Sequence, residues 1–575
     1  MKSLSSNKKK ILIILGIVLL LTIGMVVVFD ANSLEFSKEP GVYDSDVDLK
    51  IQAGIWGSVY YTLDGSEPTP ENGIKYNGKA IKLTDASELP NRNSDRNDTS
   101  AAFCDEKTVV KYGNEPKEFE VPNYNVDKGY YVKARYYNPF GIAIRENEGM
   151  YFVNLDERGY YDNLAILSIT TDEDNLWGYE RGINCTGKAY DEFKKKLDAG
   201  EVDDFRWASW KANYNSFEGM DGERPCRVQF YDENHQLSMD TQCGLRLQGH
   251  WSVAENQKSF SIFCRKEYSG EETFPVDLNQ SGHKQRKYII NMGGDDNVYK
   301  LDYYLFGDKT CEGLNFSETN FRGTMVFLNG EFWGFYWIYE PYNENYVAGT
   351  YGVNADDVII YKNKVVEVGT EEDEELWNTT YDFITKEDMS DAKNYEKACQ
   401  LIDMSSFVDY YAFMHFLARK GDWPQANEAC RRVRTPSEEL GYNDGRWRWM
   451  VFDLNSPEAI CDMPEVYVYD KPMNDPKWLS FMQNEDFRAY YAARLQVIAN
   501  YVLNPAKIDK RIDEYLAKYM EPIKASDKRF FGDDKEEAIL YNASEKKYFI
   551  RRRHDISRYM VGFFCGGQYL IPIDE

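Results

Sequence analysis

Residues 420–435 read KGDWPQANEACRRVRT, so an aspartate, Asp422, stands five positions before Asn427. The preceding stretch, SSFVDYYAFMHFLARKG, has apolar residues at helical spacing and ends on a glycine, which predicts a helix that stops just before Asp422. The following segments, ACRRVRT and RWRWMVF, read as strands and flank the turn sequence PSEELGYNDG. We therefore expect a helix, a loop that carries Asp-x4-Asn, and a hairpin that ends at Asp453.

This order of elements matches the catalytic region of protein kinases, in which an Asp-x4-Asn loop precedes a metal-binding aspartate. Phosphoryl transfer needs hard oxygen ligands for Mg²⁺ and a carboxylate close to the incoming hydroxyl. On this interpretation Asp422 orients or deprotonates the acceptor, while Asn427 and Asp453 hold the metal. The alternative is a plain turn, because Asp-x4-Asn alone is common by chance; the ordered context favours the catalytic interpretation.

A kinase also needs cations on the phosphates of its nucleotide. The segment RLQGHWSVAENQKSFSIFCRK offers Arg246 and then Lys258, which opens a predicted strand. Glu340 ends a predicted hairpin at residues 323–340 and is a candidate partner of Lys258, and Lys362 in VIIYKNK is a further candidate for the nucleotide site. The alternatives are a solvent-facing lysine at Lys258 and an edge-strand carboxylate at Glu340.

No G-x-G-x-x-G motif occurs in the sequence, which argues against a kinase of the ordinary eukaryotic type. Five segments in order instead resemble the CotH (spore coat protein H) family of atypical kinases: RLQGHWS…QKSFSI, FLNGEFWGFYWIYEPYNENYV, VIIYK, GDWPQANEACRRVR and RWRWMVFDLN. The resemblance implies a two-lobed kinase-like fold that binds ATP and Mg²⁺ or Mn²⁺ and phosphorylates serine or threonine in proteins.

By this resemblance Asp422 matches the catalytic-loop aspartate of the family and Asn427 the asparagine that follows it. Lys258 matches the lysine of the K-S-[FY] phrase, and Asp453 the first aspartate of the W-D-x-D phrase. The second aspartate of that phrase is replaced here by Asn455, a third candidate metal ligand. If that position ligates the metal, the substitution lowers metal affinity, so a weakly active or inactive kinase is the alternative.

We expect the kinase-like part to span residues 156–575. The sequence before it has a different pattern. Residues 31–155 contain short β-rich runs separated by Gly, Pro and Asp, which predict a β-sandwich. The phrase SVYYTLDGSEPT at 58–69 resembles the chitobiase/β-hexosaminidase C-terminal-type module, which is immunoglobulin-like. The expected fold class is therefore α+β, with a kinase-like domain behind a β-sandwich module.

The N-terminus predicts a membrane anchor within residues 1–30. Several lysines precede an uncharged run at residues 11–29, and 19 residues span about 28 Å as a helix, enough to cross a bilayer core. Basic residues in front of the run favour a cytoplasmic N-terminus and a single-pass protein whose body lies outside the cytoplasm. A cleaved signal peptide is the alternative.

Composition narrows the possible partners. A formal net charge of −27 argues against binding to nucleic acid, because phosphate backbones require a basic surface. The 44 tyrosines and 12 tryptophans fill cores or line flat binding surfaces. Two function classes result: a membrane-anchored kinase acting on surface or coat proteins, and a kinase-like cell-surface protein that binds glycans or partner proteins. A glycosidase with paired carboxylates is a weaker third.

Overall fold

The computed structural model describes residues 34–54, 56–96, 121–185, 187–201, 219–249, 251–419, 423–424, 426–437, 441–455 and 470–569. The predicted anchor and the predicted catalytic Asp422 lie outside these ranges. Within them, none of the helices combines the length and the apolar character that a bilayer crossing requires.

The N-terminal part is a β-rich module, as the turn-rich sequence predicts. Its strands are β1 (Leu34–Phe36), β2 (Gly41–Tyr43), β3 (Val47–Leu49), β4 (Ile51–Ala53), β5 (Ser58–Thr62), β6 (Ile74–Lys75), β7 (Ile81–Leu83), β8 (Tyr130–Tyr137) and β9 (Ala143–Val153). Five of them form a sheet in the order β2-β9-β8-β5-β6, and β1-β4 and β3-β7 form two further pairs. The alternating burial of β8 places one face of this sheet on the module core. The immunoglobulin-like topology stays a prediction.

The next seven strands form a closed barrel in the order β10-β11-β12-β13-β14-β16-β15. They are β10 (Ala165–Thr170), β11 (Arg224–Tyr231), β12 (Leu237–Gln248), β13 (Ser259–Phe263), β14 (Lys287–Asn291), β15 (Arg322–Leu328) and β16 (Glu331–Tyr339). The predicted hairpin at 323–340 is confirmed as β15–β16, and both turn residues, Asn329 (φ 48°) and Gly330 (φ 82°), are left-handed. The parallel β10–β15 pair closes the barrel.

Short helices lie in the segments that connect the barrel strands. They are α1 (Glu173–Trp177), α2 (Lys188–Asp198), α3 (Lys266–Ser269), α4 (Leu301–Phe306) and α5 (Asp308–Cys311). Of these, α4 matters most for the site, because it supplies residues to the cavity described below.

The β-rich module is joined to the barrel by a buried carboxylate. Glu331, at the start of β16, is 3% exposed and accepts hydrogen bonds from three backbone N–H groups of the module. The donors and distances are Arg92 at 2.6 Å, Asn93 at 3.1 Å and Ser94 at 2.8 Å. The two units therefore share a specific interface.

Replacing Glu331 by alanine is expected to lower the free energy of unfolding by about 2–4 kcal/mol, because three N–H groups lose their acceptor at a buried interface. Chemical denaturation of the full chain measures the change. The exposed Glu71 of the same module is the matched control, and Glu71→Ala should stay within about 0.5 kcal/mol. Equal effects of the two substitutions would contradict a coupling role for Glu331.

The C-terminal half combines a small antiparallel sheet with helices. The sheet has the order β18-β17-β19-β20, with β17 (Val358–Lys362), β18 (Val365–Val368), β19 (Ala429–Val433) and β20 (Arg448–Met450). The helices are α6 (Glu344–Tyr351), α7 (Glu374–Lys386), α8 (Ala392–Leu401), α9 (Met404–Phe416), α10 (Asp470–Met473), α11 (Pro476–Phe481), α12 (Glu485–Val497), α13 (Pro505–Phe531) and α14 (Glu536–Cys565). Helix α13 packs on strand β16 of the barrel, so the two halves share a core.

Helix α9 is the predicted helix before the Asp-x4-Asn loop. Nearly all of its residues are buried, and its N-cap is Asp403. The Asp403 carboxylate accepts from the backbone N–H groups of Ser405 at 3.1 Å and Ser406 at 3.4 Å. This buried helix leads into the predicted Asp-x4-Asn loop and fixes the point of the chain at which the candidate site begins.

Candidate active site

Asn427 and Asp453, which are 26 positions apart in the sequence, are in direct contact. The Nδ2 atom of Asn427 donates to Oδ2 of Asp453 at 2.5 Å. The strand pairing explains this: Ala429 at the start of β19 lies opposite Met450 at the end of β20, so the residues just outside both strands meet at one end of the sheet. The structure thus brings together two of the three residues that the kinase interpretation places on the metal and the acceptor.

Both residues have an unusual backbone. Asn427 (φ 55°) and Asp453 (φ 58°) are left-handed, a conformation that costs a non-glycine residue energy and that clusters at functional sites. The loop is held by neighbours: the Asn427 N–H donates to Oδ1 of Asn363 at 2.7 Å. Nη2 of Arg419, a residue that is 4% exposed, lies 3.6 Å from Oδ2 of Asp453.

A cavity of about 250 Å³ opens beside Asp453, between the barrel and the C-terminal half. The barrel and the segments that follow its strands contribute Lys287, Tyr303, Tyr339 and Glu340, and the C-terminal half contributes Lys362 and Phe452. The cavity therefore joins polar, cationic and aromatic side chains in one space, as small-molecule sites do.

Two cations line this cavity, Lys287 from the barrel and Lys362 from the C-terminal half, and Arg246 lies beside Lys287. Burial, together with the nearby charge of Arg246, lowers the pKa of Lys287 to about 8. Arg246 and Lys287 both lie over the ring of Phe263, at 4.9 and 5.2 Å from its centroid. Lys362 adds a third positive charge and pairs with Glu367 at 3.0 Å. Such a cluster suits a polyanionic ligand.

Sequence reasoning missed Lys287. The signal was present, because Lys287 is the one charged residue in the strand KYIIN, and it lies on the same face as Ile289, which also lines the cavity. A lysine that opens an otherwise apolar strand is as good a candidate as Lys258, and the sequence offered no way to choose between them.

Lys258 has a different environment from the expected one. It is 1% exposed, does not line the cavity, and its ammonium group donates to the backbone carbonyls of Val253 at 2.7 Å and Glu255 at 2.9 Å. Lys258 therefore ties down the turn before β13, as a buried ammonium must find acceptors close by. Whether it also serves the nucleotide stays a prediction.

Glu340 contacts other residues than its predicted partner, Lys258. Its Oε2 atom lies 2.9 Å from Nε2 of His283 and accepts from Nε2 of Gln285 at 2.8 Å and from Oγ of Ser281 at 3.2 Å. The hydrogen bond to Glu340 raises the pKa of His283. Glu340 thus lines the cavity, where local partners that sequence spacing does not reveal satisfy its buried carboxylate.

Asn455, the third candidate metal ligand, is 5% exposed and does not line the cavity. Its Nδ2 atom donates to the carbonyl of Gly293 at 2.7 Å and lies where a Cβ on Gly294 would stand, at 1.9 Å from that position. The amide therefore fastens the end of the Asp453 segment to the turn after β14. An ionised aspartate has no proton to donate to that carbonyl, which gives the asparagine a structural reason.

Restoring the family aspartate at position 455 is expected to destabilise the protein. Asn455→Asp should lower the free energy of unfolding by about 1–3 kcal/mol, because the Gly293 carbonyl loses its donor and faces a buried carboxylate. Thermal unfolding measures the change, with Asn455→Ala as the control that removes the bond without adding charge. A variant as stable as the parent that binds Mg²⁺ more tightly would show instead that position 455 belongs to the metal site.

A second cavity, of about 300 Å³, lies next to the same loop and is lined by Pro424 and Glu428. Its other walls include the rings of Tyr361 and Trp377, which stack at 5.0 Å, and the buried Lys477. Lys477 pairs with Glu428 at 3.1 Å. The segment that carries Asn427 is thus flanked by two cavities.

Within the described parts of the chain, no three His, Cys, Asp or Glu side chains converge as a metal cluster. Asn427 is an amide and Asp422 lies outside those parts, so the Asn427–Asp453 contact, in which the amide nitrogen faces the carboxylate, is not a cluster of that kind. It offers carboxylate and amide oxygens, the donors that Mg²⁺ prefers.

Comparison with known proteins bears on the same residues. Residues 49–140 match the family described as Fn3 associated, which covers much of the β-rich module. A search of curated proteins finds no significant match to the chain. Residues 245–556, more than half of the chain, match the family described as CotH kinase protein. The matched segment runs from the end of β12 into α14 and includes the Asn427–Asp453 pair, and the chain belongs to the CotH kinase protein family.

Proposed function

We propose that this protein is an extracytoplasmic, membrane-anchored atypical protein kinase that transfers the γ-phosphate of ATP to serine or threonine of surface or coat proteins. One observation carries the proposal: Asp453, which is in contact with Asn427, lines a cavity that Lys287 and Lys362 also line, and Arg246 lies beside Lys287 over the ring of Phe263. A carboxylate for the metal and cations for the phosphates, gathered around one cavity, suit a nucleoside triphosphate with its divalent ion.

The residues fit Mg²⁺ or Mn²⁺ in kind and number. Mg²⁺ is usually held by one or two protein oxygens together with substrate phosphates, and Asp453 and Asn427 supply two such oxygens. When bound, the ion neutralises phosphate charge that Asp453 would otherwise repel. Arg419, whose Nε and Nη1 atoms have no hydrogen-bond partner among the described residues, adds a buried positive charge behind Asp453.

The acceptor side rests on family membership. The family pattern assigns Asp422 the role of orienting or deprotonating the acceptor hydroxyl, and Asp422 precedes Asn427 by five positions in the Asp-x4-Asn loop that the sequence predicts. The second cavity flanks that loop, so we assign it to the acceptor protein. The nucleotide then occupies the cavity that contains Lys287.

The competing proposal is a kinase-like surface protein that binds glycans or partner proteins without catalysis. The observation in its favour is Asn455, which replaces a family aspartate. Because Asn455 is fastened to Gly293 away from the cavity, its presence leaves the Asp453–Asn427 pair intact. That geometry favours the enzymatic proposal.

The test is calorimetric titration of the full chain, solubilised in mild detergent, with ATP and Mg²⁺ at several pH values. Because burial lowers the pKa of Lys287 to about 8, we expect affinity to fall as the pH rises through 8, where Lys287 loses its charge. Lys287→Met should weaken binding roughly 10-fold or more at pH 7 and flatten this pH dependence. Lys364→Met, in the exposed turn after Lys362, is the matched control and should change neither.

Transfer is tested separately from binding. Mass spectrometry after incubation with Mg²⁺ and ATP labelled at the γ-phosphate should detect phosphoserine or phosphothreonine on surface proteins of the host cell or on the chain itself. Asp422→Ala should remove this signal and leave ATP affinity unchanged. Tight ATP binding with no transfer to any protein would favour the non-catalytic proposal. Absence of ATP binding would refute the kinase proposal.

A further inference from the structure

Helix α14 carries a row of exposed aromatic side chains. We call Tyr541, Tyr548, Tyr559 and Phe563 the aromatic row; they are 66%, 49%, 70% and 57% exposed. At 3.6 residues per turn they fall within about 60° of one another around the helix and extend over about 33 Å of its length. They thus share one face of the helix, where Arg552 and Asp555 lie between Tyr548 and Tyr559.

The aromatic row is not the face by which α14 joins the protein. That face is formed by Asn542, Phe549, Arg553 and Met560, which are buried and lie roughly 100° away around the helix. Exposed aromatic side chains aligned on one helix face are typical of contact surfaces, and tyrosine, phenylalanine and arginine are enriched at protein interfaces. The row therefore has the composition of a contact surface.

Charges beside the row are distributed unevenly along the helix. Glu537 and Glu545 lie toward its N-terminal end, whereas Arg552 and Arg558 lie toward its C-terminal end. Two copies of the helix in antiparallel orientation would bring Glu545 of one copy within about one turn of Arg558 of the other and would also oppose the helix dipoles. In parallel orientation like charges would meet.

We propose that the aromatic row binds the same row of a second copy of this chain, with the two α14 helices antiparallel about a two-fold axis. An axis that passes between positions 553 and 554 places Tyr548 opposite the partner's Tyr559 and Arg552 opposite the partner's Asp555. Each of these contacts occurs twice, as an isologous interface requires. Within one chain Arg552 and Asp555 lie 3.5 Å apart, so their exchange across the axis needs only side-chain rotation.

A second copy fits this surface better than the other ligands that exposed aromatics serve. The row runs along one helix face with both signs of charge between its rings, and about the proposed axis its central part, from Tyr548 to Tyr559, faces its own inverted copy. A polybasic membrane-binding face would lack Glu537, Glu545 and Asp555. The net charge of −27 opposes association at low ionic strength, so the dimer should strengthen as salt rises toward 0.15 M.

Sedimentation velocity of the full chain in density-matched detergent, over about 0.5–50 µM, tests the proposal. We expect a reversible dimer whose dissociation constant rises at least 10-fold in Tyr559→Ala, because the substitution removes two contacts at once. Tyr501→Ala is the matched control: Tyr501 is 73% exposed but lies outside the aromatic row, and the substitution should change nothing.

A charge exchange tests the register. Arg552→Asp and Asp555→Arg should each weaken the dimer about 10-fold, and the double variant should recover the parental dissociation constant. A chain that stays monomeric up to 50 µM, or a dimer that all of these variants leave unchanged, would overturn the proposal. ATP binding is unaffected in either case, so the result is independent of the proposed function.

Discussion

Replacing Asp453 by asparagine is expected to abolish Mg²⁺-dependent ATP binding and to lower kcat/KM at least 1,000-fold, which corresponds to about 4 kcal/mol of transition-state stabilisation. The carboxylate lines the cavity, is 46% exposed at its side chain and is the anionic member of the Asn427–Asp453 pair. Without its charge the metal loses its strongest ligand, and the phosphates lose the ion that neutralises them.

Asp453→Asn also separates function from folding. Asp453 has φ 58°, and asparagine tolerates the left-handed region at least as well as aspartate does. The variant should therefore unfold at the parental temperature within about 2 °C. Isothermal titration and a phosphoryl-transfer assay measure the loss.

The matched control for Asp453→Asn is Asp356→Asn, an exposed carboxylate in the same half of the chain. It should leave ATP binding and transfer unchanged. If Asp453→Asn retained Mg²⁺-dependent ATP binding, the metal would have to be held elsewhere, and the assignment of the Asn427–Asp453 pair would be wrong.

Local patterns in the sequence were enough to predict several elements. The Asn329-Gly330 turn between two β-rich arms predicted β15–β16, and helical spacing predicted α9. Closure of the barrel could not be predicted, because it depends on a parallel contact between β10 and β15, strands separated by about 150 residues of other structure. Nothing local to either strand specifies its partner across that distance.

The site was predictable where order along the chain decides geometry. Asn427 and Asp453 flank a hairpin, so pairing of its strands brings them together. Lys287 was missed because the direction of a side chain within a closed barrel depends on the whole barrel. For the same reason Lys258, though it precedes a strand as predicted, donates to local carbonyl groups.

The contact between the β-rich module and the barrel could not be predicted from the sequence either. The β-rich runs at residues 31–155 predicted a module distinct from the kinase-like part, and in the structure Glu331 of the barrel accepts three hydrogen bonds from that module. Phe152 of the module packs on Phe327 of the barrel, with ring centroids 4.5 Å apart. A single glutamate in a hairpin carries no sequence signal that its partners lie more than 200 positions away.

The wall of the cavity rests on a fully buried ion pair. Asp302 of α4, which lines the cavity, lies 2.7 Å from Nζ of Lys546 in α14, and both side chains are completely buried. The backbone N–H of Asp302 donates to the buried carboxylate of Asp296 at 2.7 Å. Burial raises the pKa of both aspartates, and the charge of Lys546 opposes that rise.

Lys546→Met is therefore expected to lower the free energy of unfolding by about 3–5 kcal/mol at pH 7, because two buried carboxylates lose a compensating charge. The adjacent Lys547 provides the matched control. It pairs with Asp513 at 2.5 Å, but Asp513 is 66% exposed at its side chain, so Lys547→Met should cost less than about 1 kcal/mol.

The stability loss of Lys546→Met is expected to depend on pH. Without Lys546 the folded-state pKa of the aspartates rises further above the unfolded value, so the folded variant holds protons that the unfolded chain releases. Stability of this kind is present below the unfolded pKa of about 4 and is lost as the pH rises through the folded pKa. The deficit of Lys546→Met relative to the parent should therefore be larger at pH 8 than at pH 5, and Asp302→Asn in the same chain should restore part of it. A deficit that is equal at both pH values would mean that lost packing of the lysine stem, rather than an uncompensated charge, destabilises the variant.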